Sequence, residues 1–160
     1  MTQRLRLVIF DVDGTLVDSQ ADILGAMALA FAAQGLDVPP RAAVLSIVGL
    51  SLNEAMARLV PDLSEALRAE LVAGYKHAYM TSRINTDTRQ TSPLYPGARD
   101  VLDLLSQQDD MLLGVATGKS KRGLDALIAS HGLEGLFVSR QVADFHPSKP
   151  HPSMLLTALR

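Results

Sequence analysis

The chain has no cysteine and no tryptophan among its 160 residues, and only 4% of it is aromatic. The missing thiols exclude disulfides and thiolate metal sites, and the composition fits a reducing, cytoplasmic setting. No apolar run approaches the roughly 20 residues that a membrane span needs, so a membrane is not expected as a partner. Arg4 and Arg6 interrupt the start, and the run behind them is shorter than a secretion signal requires, so no signal peptide is expected. Neither sign of charge dominates: the net charge is −2 and like charges never form a long run. Nucleic acid is therefore not expected as a partner either. What remains is 48% hydrophobic residues on a length that suits one globular domain, or a core with a small insert.

The rest of the chain is organised around Arg4 to Ser19, RLRLVIFDVDGTLVDS. Leu5 and Leu7 to Phe10 form an apolar, β-prone run that stops abruptly at Asp11. Such a near-continuous run predicts a strand covered on both faces of a parallel sheet, and ligands bind beyond the carboxyl end of such strands. Gly14 and Thr15 let the chain loop over, so that Asp11 and Asp13 converge on one point. A convergent pair of carboxylates suits Mg²⁺, which takes hard oxygen ligands and keeps several waters. The pair can also divide labour, one aspartate attacking as a nucleophile while the other shuttles a proton. Alternatively, the two aspartates only decorate a turn or cap the next helix. A calcium loop is excluded, because its required sixth-position glycine and twelfth-position glutamate are here Leu16 and Asp22.

The stretch Val8 to Ser19 resembles the first motif of the haloacid dehalogenase-like (HAD) hydrolases, and DVDGTLVDS resembles their phosphatase branch. The resemblance implies that Asp11 becomes an aspartyl-phosphate, that Asp13 acts as acid and base, and that Mg²⁺ held by Asp11 and Asp13 bridges protein and substrate. Gly14 and Thr15 of the same loop are then expected beside the phosphate.

Behind the loop, Ser19 with Asp22 and Ser51 with Glu54 have capping-box spacing, and Gly35 is placed to end the first helix in a left-handed cap. Helices are predicted after Ser19, around Arg41 to Ile47, from Ser51 to about Val60, and from about Ser64 to Met80. Several helices in a row with no strand between them predict an inserted helical subdomain, read as a lid. Thr81 to Tyr95 is polar and weakly periodic, which predicts a return linker. Pro96 and Gly97 then introduce another helix. The organisation expected is an α/β, Rossmann-like parallel core from residues 1–19 and 82–160, with a helical cap at 20–81.

Met111 to Ala116 is a second predicted buried strand, ending in Thr117, Gly118, Lys119 and Ser120. A hydroxyl and backbone N–H groups there make an anion site, or simply a helix N-cap. The stretch resembles the second HAD motif at Thr117, which implies that Thr117 and Gly118 bind substrate phosphate. Lys119 and Lys121 are expected to be solvated surface charges. Phe137 and Val138 mark a third strand. Lys149, ahead of Pro150, sits in a proline-rich loop where an ammonium can neutralise phosphoryl charge, or where it is merely a surface lysine. KPHP resembles the third HAD motif and implies that charge-neutralising role for Lys149. His146 and His151 lack the spacing of a zinc site and are expected to be loop histidines.

In the family a further strand follows, carrying acidic residues that complete the Mg²⁺ shell. The 160 residues are therefore expected to be an N-terminal portion of a longer enzyme or a truncated product. The Asp11 strand is then left with an open edge and a homodimer is possible. The function expected is Mg²⁺-dependent hydrolysis of a small phosphorylated metabolite through an aspartyl-phosphate. VGLSLNEAM, LYPG and ATGKS resemble phosphoglycolate phosphatases, which implies a role for Ser51 in a cap loop facing the substrate. A sugar phosphomutase, a pyrophosphatase and an inactive phosphate-binding fragment are the alternatives.

Overall fold

The computed structural model describes residues 4–160; residues 1–3, counted above with the core, lie outside the described residues. The elements run β1 (Arg6–Phe10), α1 (Gln20–Ala33), α2 (Arg41–Ser46), α3 (Leu52–Leu59), α4 (Glu65–Asn85), α5 (Thr88–Thr91), α6 (Ala98–Ser106), β2 (Met111–Ala116), α7 (Lys121–His131), β3 (Ser139–Gln141) and α8 (Ser153–Ala158). A single turn of 3₁₀ helix, Ala143–Phe145, precedes α8.

The sheet is parallel throughout, in the order β1-β2-β3. Phe10 stands opposite Val115, and Ala116 opposite Gln141. All three strands therefore end at one edge, and the loops that follow them meet there. The central β2 is buried over its last four residues, as expected of a strand covered on both faces. The same expectation for β1 is corrected, because its residues 7–10 are only half-buried. The physical reason is position: among the described residues β1 has β2 alone as a ladder partner.

Buried side chains fall in two clusters. One gathers on the sheet, with Val12, Val17, Leu102, Val115, Leu124 and Phe137 among its members. The other lies within α1 to α4, built from Ile23, Met27, Phe31, Val44, Met56 and Leu71. Burying a side chain of this size contributes about 1.5–3 kcal/mol, so each cluster is a substantial source of cohesion. Gly35 (φ 66°) closes α1 as expected, with its N–H donating to Ala32 and that of Leu36 to Phe31.

Four local expectations are corrected. The helix expected to end near Met80 continues to Asn85, and α5 follows it, so the polar segment after Met80 is largely helical. Tyr75, Tyr79 and Arg83 recur at four-residue spacing and stack on one face of α4, which supports an otherwise polar helix end. The third strand is Ser139–Gln141, starting two residues beyond Phe137, whose ring is buried in the sheet cluster. Neither capping box forms: among the described residues no side chain caps α1 or α3. The Asp22 carboxylate instead accepts from Thr91 (3.0 Å) and Ser92 (2.6 Å), and Glu54 pairs with Arg58 at 2.9 Å. Two distant hydroxyl donors won over the local cap for Asp22, and a cation one turn along the helix did so for Glu54.

Candidate active site

Asp11 is the first residue past β1, and one of its oxygens, Oδ1, accepts from the Val12 N–H at 2.8 Å and forms an ion pair with the Lys149 ammonium at 2.9 Å. The chain then turns tightly: the N–H groups of Thr15, Leu16 and Val17 all donate to the Val12 carbonyl. Gly14 supplies the left-handed residue this turn needs, at φ 81°. Val17 is pinned on both sides, bridging Asp13 and Leu94. The turn therefore holds Asp11 and Asp13 at the sheet's carboxyl edge, as the sequence predicts.

Asp13 has a cation of its own, and it is not one the sequence reading supplied. The Lys119 ammonium lies 2.9 Å from Asp13 Oδ1, with the two side chains only 8% and 10% exposed. The expectation that Lys119 is solvated is thereby corrected. Lys119 stands two residues past Thr117 on the neighbouring strand's loop, and the parallel register turns it toward Asp13. It also bonds the Tyr79 hydroxyl at 3.2 Å and lies 5.0 Å from that ring's centre. Burial alone would lower the Lys119 pKa; Asp13 and Tyr79 outweigh it and hold the ammonium above its ordinary range. Burial, and then Tyr79 and Asp13, likewise raise the neighbouring Tyr75 phenol well above its usual 10.0. Lys121, as expected, is an exposed charge, paired with Asp125 at 2.5 Å.

Thr117 is fully buried at the end of β2, and its hydroxyl accepts from the Lys119 N–H at 3.1 Å. The cap of α7 is Ser120 rather than Thr117. Gly118 is where the helical cluster touches the sheet: a Cβ there would lie 2.5 Å from the Leu50 carbonyl oxygen and 2.6 Å from that of Gly49. A Cβ on Gly49 would in turn lie 4.0 Å from Asp11 Oδ2, so the same loop lies over the first aspartate. The Ser51 N–H donates to the Ser148 hydroxyl at 2.9 Å, tying that loop to the segment that carries Lys149.

Between sheet edge and helices lies a cavity of about 730 Å³, lined by Asp13, Gly118 and Lys119 from below and by Ser51, Tyr79 and Arg83 from above. A smaller one of about 280 Å³ reaches Asp13 and Gly14 from the α1 side. Thr15 is exposed and lines neither. His146 is a structural loop residue that bridges Gln141 and Ser153, and His151 Nδ1 accepts from the Ser153 N–H. Among the described residues no group of three or more His, Cys, Asp or Glu is gathered to hold a metal unaided.

The model of the haloacid dehalogenase-like hydrolases matches residues 8–160, nearly the whole chain and all three strand-end loops. The chain belongs to the haloacid dehalogenase-like hydrolase family. Within it the chain is similar to the phosphoglycolate phosphatase-like members. A phosphoglycolate phosphatase of Haemophilus influenzae is 28% identical over 160 residues, covering 97% of this chain and 70% of its own length. One from Vibrio parahaemolyticus is 30% identical, with 97% and 69% covered. A crystal structure from Haemophilus somnus, described as a predicted phosphoglycolate phosphatase, superposes with a TM-score of 0.81 at 25% identity over 98% of this chain and 71% of that one. A haloacid dehalogenase-like hydrolase of Streptococcus pneumoniae, at 24% identity and a TM-score of 0.77 over 99% and 70% of the two chains, has the same fold. No helix of the described residues is long and apolar enough to cross a membrane.

Proposed function

We propose that the chain hydrolyses a small phosphomonoester, phosphoglycolate or a close analogue, through an aspartyl-phosphate on Asp11. The observation that carries this reading is the pair of carboxylate–lysine contacts at one sheet edge, each 2.9 Å long, of which Asp13–Lys119 lines a cavity sized for a small molecule. The names of the family relatives support the phosphatase assignment.

An Asp11 oxygen attacks phosphorus and the bond from phosphorus to the leaving oxygen breaks. Asp13 gives that oxygen a proton. Asp13 then takes a proton from water, the water oxygen bonds to phosphorus, and the acyl-phosphate bond breaks to return Asp11 and release phosphate. Lys149 neutralises the Asp11 carboxylate and the incoming phosphoryl oxygens, while Gly14, Thr117 and Gly118 stand on the phosphate's side of the site. Placed charge supplies most of the acceleration in phosphoryl transfer, so two fixed lysines at this point are well used. Lys119, with Tyr79, positions Asp13. The helical segment 20–81 acts as a cap on the core formed by 4–19 and 82–160, with Ser51 on its substrate-facing loop.

The donor set fits Mg²⁺. Among the described residues no hydrogen bond or ion pair engages Asp11 Oδ2 or Asp13 Oδ2, and Mg²⁺ takes one or two carboxylates together with waters and substrate phosphate. When bound, it would neutralise phosphoryl charge.

The test is Mg²⁺-dependent phosphate release from 2-phosphoglycolate by the chain and by its Asp11→Asn variant. Release by the chain and loss in the variant is the expected result. Equal release by both would exclude Asp11 as nucleophile, and none from either would exclude the activity for this chain.

A further inference from the structure

Arg83 is the one strongly held cation of the cavity that the reaction above does not use. It lies on the last turn of α4 and makes no ion pair among the described residues. Its Nη2 donates to the Gly123 carbonyl at 3.0 Å, and its guanidinium carbon stands 4.8 Å from the centre of the Tyr79 ring. Its Nε is buried and has no acceptor among the described residues. A guanidinium cannot shed its charge near neutral pH, so a buried N–H left unpaired is a site short of a partner.

The surroundings specify what kind of partner. Arg83 lines the same cavity as Asp13 and Lys119 but on the helical side, and Tyr79 stands between it and Lys119. Lys76 of α4 and Arg122 at the start of α7 line the same cavity. The acidic residues of the lining are already engaged: Glu54 by Arg58, Asp144 by the Lys121 N–H, and Asp13 by Lys119. The wall formed by α4 and the start of α7 therefore presents positive charge that, among the described residues, no carboxylate balances. The planar fork of a guanidinium matches the two oxygens of a carboxylate, which also balances its charge, as a neutral acceptor would not.

We infer that Arg83 determines specificity: it takes a carboxylate on the leaving-alcohol part of the substrate, so that the site selects phosphomonoesters carrying a second acidic group. This rests on the phosphatase reading, with phosphorus at the Asp11 and Lys149 end and the carboxylate at the α4 end. Arg83 has no part in the bond-breaking steps; it fixes which ester is held across the cavity.

Two measurements separate this inference from that reading. The first compares kcat/KM for 2-phosphoglycolate and for ethyl phosphate, which lacks the carboxylate, in the chain and in Arg83→Gln. The acid-to-neutral ratio should fall by roughly 10- to 100-fold, the range for a lost hydrogen bond to a charged group. Arg83→Lys, which keeps the charge without the fork, should recover part of the ratio. Equal losses on both esters would show a merely structural residue and overturn the inference. The second measurement is calorimetric binding of the same two esters to Asp11→Asn, with and without Arg83→Gln, which needs no turnover. A preference for 2-phosphoglycolate that disappears with Arg83 supports the inference even if the chain releases no phosphate, in which case the phosphatase reading alone falls. No preference for the carboxylate, or one that survives Arg83→Gln, overturns it.

Discussion

Substituting Gly118 by alanine should disable the site without unfolding the chain. The added Cβ would stand 2.5 Å from the Leu50 carbonyl oxygen and 2.6 Å from that of Gly49, both backbone atoms that no side-chain rotation can move aside. Even a very tight contact of 3.0 Å requires the loop to retreat by about 0.5 Å, from 3.0 − 2.5, and an ordinary one by nearly 1 Å. That loop lies over Asp11 and is tied through Ser51 to Ser148. A displacement near 1 Å in a site that depends on positioning costs on the order of 100-fold in rate, while overpacking costs about 1–3 kcal/mol of stability. The assay is kcat/KM for 2-phosphoglycolate beside a denaturant titration of the same preparation. A folded variant within twofold of the parent's kcat/KM would show that the loop need not lie on Gly118 during turnover, and the steric reasoning would fail.

Lys119→Met should cost about 3–5 kcal/mol by leaving Asp13 as an uncompensated, largely buried carboxylate, measured by denaturant unfolding without Mg²⁺. A loss below about 0.5 kcal/mol, the scale of an exposed substitution, would contradict a buried pair. Lys119 and Tyr75 both bind their protons more tightly when folded, having pKa values raised from 10.5 and 10.0. Their stabilisation is thus complete below about pH 10 and drains as pH rises through the folded values. Thermal melts should show stability falling above that point, and Tyr75→Phe should shed part of the fall. Among the described residues β1 has one ladder partner and so an unpaired strand edge, for which we propose self-association. Sedimentation should show concentration-dependent dimer, and a monomer at every concentration would refute it.

The strand-end aspartates were legible because a local pattern carried them: an apolar run, an abrupt acidic stop and a glycine turn are all written within ten residues. β2 and its polar end were legible for the same reason. Lys119 was misread because burial is a tertiary property, and a lysine beside a serine reads locally as surface. The signal available was the register. Two parallel strands ending level bring a residue two past Thr117 close to one two past Asp11. Arg83 was missed because its segment lacks apolar periodicity, although Tyr75, Tyr79 and Arg83 already stood four apart. Asp22 was assigned to a local cap because its partners, Thr91 and Ser92, lie about 70 residues away and only the fold brings them near.

The central claim is that Asp11 forms a bond to phosphorus, and the direct measurement is mass spectrometry of the chain quenched in acid after mixing with 2-phosphoglycolate and Mg²⁺. One added phosphoryl group on the peptide that contains Asp11, absent in Asp11→Asn, is the expected result. Phosphate released with no phosphorylated peptide at any quench time, or the label found on another residue, would contradict it.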